Sequence, residues 1–371
     1  MNNIFLSSGL AFLITFFAIP VIIQIAKEKK LYDEPDERKV HKSVIPTLGG
    51  LGIFAGFVIA SLMGVPINSV ELQFIMVAVM VIFFIGIKDD ILVITASKKF
   101  IAQLIAAGVI IKFAGLQIHN MHGFLGMNEI PRIAGIALTI FAIIVITNSF
   151  NLIDGVDGLA GSLGLLTSLV FGLYFYITHN LMYSIMAFAL SGSLIAFLIY
   201  NFSPAKIFMG DTGSLLIGLL NSIFVIKFIN IAGTANVPIQ ASPAIGFAIL
   251  IVPLFDTLRV TSMRILKRRS PFSADRNHIH HFLLDYGLSH KMISILCVTV
   301  NILFIALALS LKRMGTTIVI GALAAAAISF VGIIYYKRPK RRFIREEVLS
   351  EEAYVKPRKV ISLAGEVLDA D

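Results

Sequence analysis

Residues 148–161 read NSFNLIDGVDGLAG, where an apolar run ends in a cluster of amides, carboxylates and glycines. Asn148, Asn151, Asp154 and Asp157 recur at steps of three, with Gly155 and Gly158 beside the acids. On an ideal helix each such step turns about 300°, so successive members lie about 60° apart and Asn148 ends roughly opposite Asp157. The glycines predict that the helix breaks or tightens here. Hydrocarbon does not tolerate a cluster of this polarity. The stretch therefore predicts a polar floor in a membrane protein, with other polar loops converging on it.

The rest of the chain supports the membrane reading. Its 371 residues are 57% hydrophobic and only 14% charged, with mean hydropathy +0.88, far too apolar for a soluble two-domain protein. The apolar runs, about 17 to 22 residues long, lack period-two alternation and carry no charge through their middles, which predicts helices and excludes a β-barrel. The expected fold is an all-α, polytopic helical bundle of about 11 spans. They fall at residues 4–26, 48–65, 71–88, 99–115, 132–150, 159–177, 182–200, 214–231, 243–262, 291–311 and 315–336. The first run lacks a basic segment before it and is followed by Lys27, Lys29 and Lys30, so it reads as a retained span rather than a signal peptide. The single cysteine, Cys297, lies inside an apolar run, which excludes an intramolecular disulfide and a cysteine metal site.

The net charge of +9 does not point to nucleic acid, because the basic residues cluster beside apolar segments, as orientation in a membrane requires. An outside N-terminus and a cytoplasmic C-terminus put most of the 31 basic residues inside. Only Arg132, Lys312 and Arg313 fall in or beside outer loops, with Lys112 and Lys227 near outer helix ends. This assignment also gathers Asp89 and Asp90, the 148–161 stretch, the NFSPAKIFMGDTGS loop and the RNHIHH loop on the cytoplasmic face, leaving short, plain outer loops. Residues 337–371 form a basic cluster followed by mixed charge, an orientation anchor with a disordered end.

Each polar motif also has a structural reading. Asp89 and Asp90 close the third span, where two carboxylates meet the unfavourable end of a helix dipole and call for a cation or partner such as Lys98 or Lys99. Asp211, between Gly210 and Gly213 and before the eighth span, is either a helix N-cap or part of an anion site. His278 and His281, three apart, would share a helix face and suit zinc or an anionic phosphate, phosphate being favoured for want of a third ligand at standard spacing. Arg276 and His280 lie beside them. Lys42, Thr47, Gly49 and Gly50 stand at the entry to the second span, where glycines serve either helix packing or a ligand.

Together KDD, NSFNLIDGVDGLAG, NFSPAKIFMGDTGS and DRNHIHH, in this order and on one face, resemble the polyprenyl-phosphate N-acetylhexosamine-1-phosphate transferases of glycosyltransferase family 4. The match is strongest to the bacterial undecaprenyl-phosphate N-acetylglucosamine-1-phosphate transferases and runs from about Lys42 to Leu284. The resemblance implies a transferase domain over residues 1–336 in the bacterial plasma membrane, with a cytoplasmic active site. It implies transfer of N-acetylglucosamine 1-phosphate from UDP-N-acetylglucosamine to undecaprenyl phosphate. UMP would be released at the start of cell-envelope polysaccharide synthesis, such as lipopolysaccharide O-antigen or teichoic acid. It also implies Mg²⁺, with Mn²⁺ as a substitute, and is compatible with a homodimer. Carried onto this chain, it assigns Asn151 and Asp211 to the metal, and Asp154 and Asp157 to the nucleotide and its diphosphate. Asp89, Asp90 and Lys99 fall to the lipid phosphate, and Arg276, His278, His280 and His281 to the sugar phosphate, with Lys42 and Asn148 as further substrate contacts.

Overall fold

The computed structural model describes residues 2–29, 31, 45–66, 68–92, 94–268 and 277–337. The helices are α1 (Asn2–Glu28), α2 (Gly49–Gly64), α3 (Val70–Leu92), α4 (Ala96–Lys112), α5 (Arg132–Ile153), α6 (Leu159–Ile177), α7 (Leu181–Asn201), α8 (Gly210–Ala232), α9 (Ser242–Ile249), α10 (Ile251–Leu266), α11 (Ile279–Asp285), α12 (His290–Leu311) and α13 (Thr316–Lys337). Among the described residues eight helices are long and apolar enough to cross a membrane. The bent pair of α9 and α10 would make a ninth span. The two other expected spans are α2 and α4, helices of 16 and 17 residues. The protein is a multi-pass helical membrane protein.

Burial ranks the helices from centre to rim. The apolar window of α8 is 78% buried and that of α7 72%, against 22% for α1 and α13, so α8 is the axis and the last two meet lipid. Helices α2 and α3 approach α8 closely because glycines remove the side chain at the contact. A Cβ at Gly50 would lie 2.2 Å from Gly213 N, and one at Gly86 2.6 Å from Thr212 Cα. Polar groups then fasten α3 to α8 at both ends. At one end Asp90 meets the first residues of α8. At the other, Lys227 Nζ lies 3.3 Å from Glu71 Oε1 and 4.6 Å from the centre of the Tyr183 ring, and the Tyr183 hydroxyl donates to the same carboxylate.

Two expectations need correction. The fold is not purely α-helical: in the loop after α4, β1 (Asn120–Phe124) and β2 (Met127–Glu129) form an antiparallel hairpin. Thr316 and Thr317 of α13 hydrogen-bond this hairpin at His122, Gly123 and Leu125. The expected span at 243–262 is broken at Leu250, where α10 turns 87° from α9. Pro253, two residues into α10, has no N–H to continue an unbroken helix. The freed backbone groups are met by Asn301 of α12, which is fully buried. Its Nδ2 donates to Ile249 O at 2.9 Å and its Oδ1 accepts from Val252 N at 3.2 Å. In an apolar surrounding an unmet backbone group is costly, so this side chain is what makes the break tolerable.

Candidate active site

Helix α5 runs unbroken through Asn148 and Asn151 and stops at Ile153. Asp154 follows at φ −77° and ψ 58°, and the turn closes at Gly158 with φ +76°, a conformation that side chains disfavour, before α6 begins. The predicted break is therefore confined to residues 154–158.

Around this turn the ends of α3, α4 and α8 converge. Lys99 Nζ lies 2.6 Å from Asp89 Oδ2 and also bonds Asp211 Oδ2, so one ammonium bridges two carboxylates. Asp89 Oδ1 accepts from Ile94 N at 2.7 Å, which fixes the chain between α3 and α4. Asp90 has a different task. Its carboxylate accepts from Asp211 N (2.6 Å), Thr212 N (3.0 Å) and the Thr212 hydroxyl (2.5 Å), capping α8 from another helix. Of the two readings of Asp211, the helix N-cap is not the one seen: no cap hydrogen bond comes from the residue before α8, and Asp90 supplies it.

Asn151 Nδ2 donates to Ser214 Oγ at 3.0 Å, one turn along α8 from Asp211. An amide that donates through its nitrogen presents its oxygen as the remaining atom for a cation. Asn148 faces elsewhere, exchanging hydrogen bonds with Gln103 of α4 at 2.7 and 3.3 Å and donating to Ile144 O. Asp154 lies within the field of Asp211, Asp90 and Asp157. Burial first, then these three negative charges, pushes its carboxyl up to about 8.

A second group covers the turn from above. The bend at Leu250 carries Asp256 and Arg259 under the start of α11. Asp256 is 2% exposed and accepts from Arg259 (2.7 Å), Ile279 N (3.0 Å) and His278 Nδ1 (2.9 Å). His278 is the extended residue preceding α11, so it does not share a helix face with His281 as the spacing suggested. It stacks instead on His280, with ring centres 5.7 Å apart, and His280 lies 4.3 Å from His281. His280 is 2% exposed and packs on the turn: a Cβ at Gly155 would fall 2.7 Å from its Nε2. Burial, then neighbouring His281, holds its imidazole down to about 3, so it is neutral at ordinary pH. Its Nδ1 is buried with no hydrogen-bond partner among the described residues.

Asp157 lies behind the turn, 4% exposed, with both carboxylate oxygens engaged. Oδ1 is 3.1 Å from His290 Nδ1, and Oδ2 accepts from Ala205 N at 3.2 Å. Lys42 and Arg276 lie outside the described residues. Asp256, Arg259 and His290 were not singled out by motif. A lone acid inside an apolar run is a signal that would have found Asp256, whereas His290 carries none.

As for metals, no group of three or more His, Cys, Asp and Glu among the described residues is arranged to hold an ion, so the histidines give zinc no support. Mg²⁺ asks for less, one or two protein oxygens with the remaining ligands from phosphate and water. Asp211 and Asn151 are of that kind, and the carboxylate excess that raises Asp154 suits a hard cation.

The sequence profile described as Glycosyl transferase family 4 matches residues 72–229, which include Asp89, Asp90, Lys99, Asn151, Asp154 and Asp211. The chain is 32% identical over 312 residues, 81% of its length and 84% of the relative's, to a Bacillus subtilis protein named "Probable undecaprenyl-phosphate N-acetylglucosaminyl 1-phosphate transferase". It is 33% identical to a Mycobacterium leprae decaprenyl-phosphate N-acetylglucosaminephosphotransferase, covering 77% of this chain and 78% of the relative. An Escherichia coli K12 undecaprenyl-phosphate alpha-N-acetylglucosaminyl 1-phosphate transferase is 30% identical over 80% of this chain and 81% of its own. With its acid cluster inside the matched region and relatives aligned along most of both chains, this protein belongs to glycosyl transferase family 4.

Proposed function

We propose that this protein transfers N-acetylglucosamine 1-phosphate from UDP-N-acetylglucosamine to undecaprenyl phosphate and releases UMP. One observation carries the reading: in a family 4 membrane protein, Lys99 bridges Asp89 and Asp211 where helix ends converge, with Asp154 in the field of Asp211. Two polyanions brought together at a membrane surface need such a site, where carboxylates recruit a cation and an ammonium neutralises phosphate oxygen. In the reaction an oxygen of the lipid phosphate bonds to the phosphorus bearing the sugar. The bond from that phosphorus to the oxygen bridging it to UMP breaks, and UMP leaves with that oxygen. One phosphoanhydride replaces another, so no ATP is required.

Asp211 and Asn151 would hold Mg²⁺, with Mn²⁺ as a substitute, and the ion would draw charge from the phosphate oxygens. Lys99, tethered by Asp89 and Asp211, presents its ammonium to the phosphates. Asp90 holds the first turn of α8 and with it Asp211. Asp154, in the field of Asp211, Asp90 and Asp157, would face the nucleotide and its diphosphate. His280 is neutral, and its unpartnered Nδ1, a group whose burial costs about 1–3 kcal/mol, would bond the sugar or its phosphate. The products would enter cell-envelope polysaccharide synthesis from the cytoplasmic face.

The test is movement of radiolabelled sugar phosphate from UDP-N-acetylglucosamine into lipid by purified protein, with UMP measured alongside. No transfer with an active lipid acceptor and Mg²⁺ would refute the reading. Transfer from another UDP-N-acetylhexosamine, muramoyl-pentapeptide included, in preference to UDP-N-acetylglucosamine would keep the reaction and change the donor.

A further inference from the structure

The turn at 154–158 carries Asp154, and its own backbone holds it by two short-range ties, Gly155 N to Ile153 O at 2.8 Å and Leu159 N to Val156 O at 3.0 Å, neither of which fixes it to the rest of the bundle. The restraint comes from Asp157 and its neighbour. Ser294 Oγ donates to Asp157 O at 2.8 Å, and Gly158 N donates to Asn201 Oδ1 at 2.9 Å. Ala205 N reaches Asp157 Oδ2, and His290 Nδ1 stands 3.1 Å from Asp157 Oδ1 and 3.3 Å from Asp157 N. The last contact is unusual in its economy. One ring nitrogen sits within hydrogen-bond reach of both the amide and the carboxylate of the same residue, so either tautomer of His290 holds Asp157: the neutral nitrogen accepts from the amide, the protonated one donates to the carboxylate. His290 opens α12, whose N-terminus is capped by Ser289 accepting from Met292 N, so the ring projects from a fixed helix end.

We infer that His290 is a positioning residue of the reaction: through Asp157 it clamps the 154–158 turn and so sets where Asp154 stands among the acids. The inference rests on the proposed function for its kinetic consequence alone. It also gives Asp157 a role apart from nucleotide contact, because its carboxylate oxygens already face Ala205 N and the His290 ring.

The experiment compares His290→Asn, whose amide can occupy the place of Nδ1, with His290→Leu, which cannot bond there. In the transfer assay His290→Leu lowers kcat at least tenfold while KM for the UDP-sugar stays within twofold, and His290→Asn recovers most of the loss. In a double-mutant cycle, His290→Leu combined with Asp157→Asn is no slower than the slower single variant, since both act on the same pair of side chains. Hydrogen exchange reads the clamp without substrate. The amides of residues 155–159 exchange at least tenfold faster in His290→Leu than in the parent or His290→Asn, with α8 unchanged. Unaltered exchange in His290→Leu would overturn the clamp whatever the substrate, and would do so even if transfer from UDP-N-acetylglucosamine failed in the parent. A Leu variant with parental kcat, or an Asp157→Asn variant whose defect is confined to a raised KM for the UDP-sugar, would also overturn it, the latter returning Asp157 to the nucleotide.

Discussion

Ionising Asp154 adds charge to a pocket where Asp211, Asp90 and Asp157 already stand nearby. An unfolded-chain aspartate titrates near 4, the folded one near 8. Between those values the folded state keeps a proton that the unfolded state has released, so this residue's burden on stability grows as pH rises through the window. Asp154→Asn is therefore expected to raise the melting temperature of the purified, divalent-free protein, by more at pH 8 than at pH 5, while abolishing transfer. A melting temperature lowered at both pH values would refute that account of the site. Asp211→Asn should cut transfer on the order of 10²-fold or more, because it removes one of the two anchors of Lys99 and an oxygen of the proposed cation site. Parental turnover in that variant would leave Asp211 without a catalytic part. At this scale the sequence was informative where polar residues interrupt apolar runs: Asp89, Lys99, Asn151, Asp154 and Asp211 do converge. It was uninformative about direction. Nothing in the spacing tells that Asp90 caps α8, that Asn148 turns to Gln103, or that Asp157 turns to His290, because those partners lie on distant elements.

Among the elements, the broken pair α9 and α10 does the most to place the chemistry. Without the 87° bend, Asp256 and Arg259 would continue along the direction of α9 and could not meet His278 and Ile279. Asn301→Leu leaves Ile249 O and Val252 N unmet, at about 1–3 kcal/mol each. The expected result is a melting temperature several degrees lower and a loss of transfer, measured by thermal unfolding and by the label assay. Asn301→Asp, which keeps only the acceptor for Val252 N, should fall between. A Leu variant as stable and active as the parent would show that the break needs no support from α12. The approximate helix positions were legible from hydropathy, since hydrocarbon selects for long uncharged runs. The break was not, since Leu250 sits among apolar neighbours and only Pro253 marked a helix under constraint.

For the molecule as a whole, the two ends are chemically unlike. Asp89, Asp154, Asp211 and the histidines His278, His280 and His281 gather at one end, and the opposite end holds the hairpin and the Glu71, Tyr183 and Lys227 cluster. With Cys297→Ser as background, Leu125→Cys at the exposed hairpin tip should react with a membrane-impermeant maleimide in intact cells. Lys98→Cys, exposed beside the acids, should react only after permeabilisation. The reverse pattern would invert the topology. The same asymmetry bears on the lipid through α4, whose Phe100, Ile101, Leu104 and Ile105 are exposed along one face. Its uncharged stretch between Lys99 and Lys112 holds residues 100–111, about 18 Å of helix at 1.5 Å per residue, against a hydrocarbon layer of about 30 Å. Hydrophobic mismatch on that flank is expected to draw the bilayer inward, lowering the headgroup plane toward Lys99. Membrane thickness then becomes a control on transfer: vesicles of longer acyl chains, by resisting the dimple, should hold their headgroup phosphates farther from Lys99.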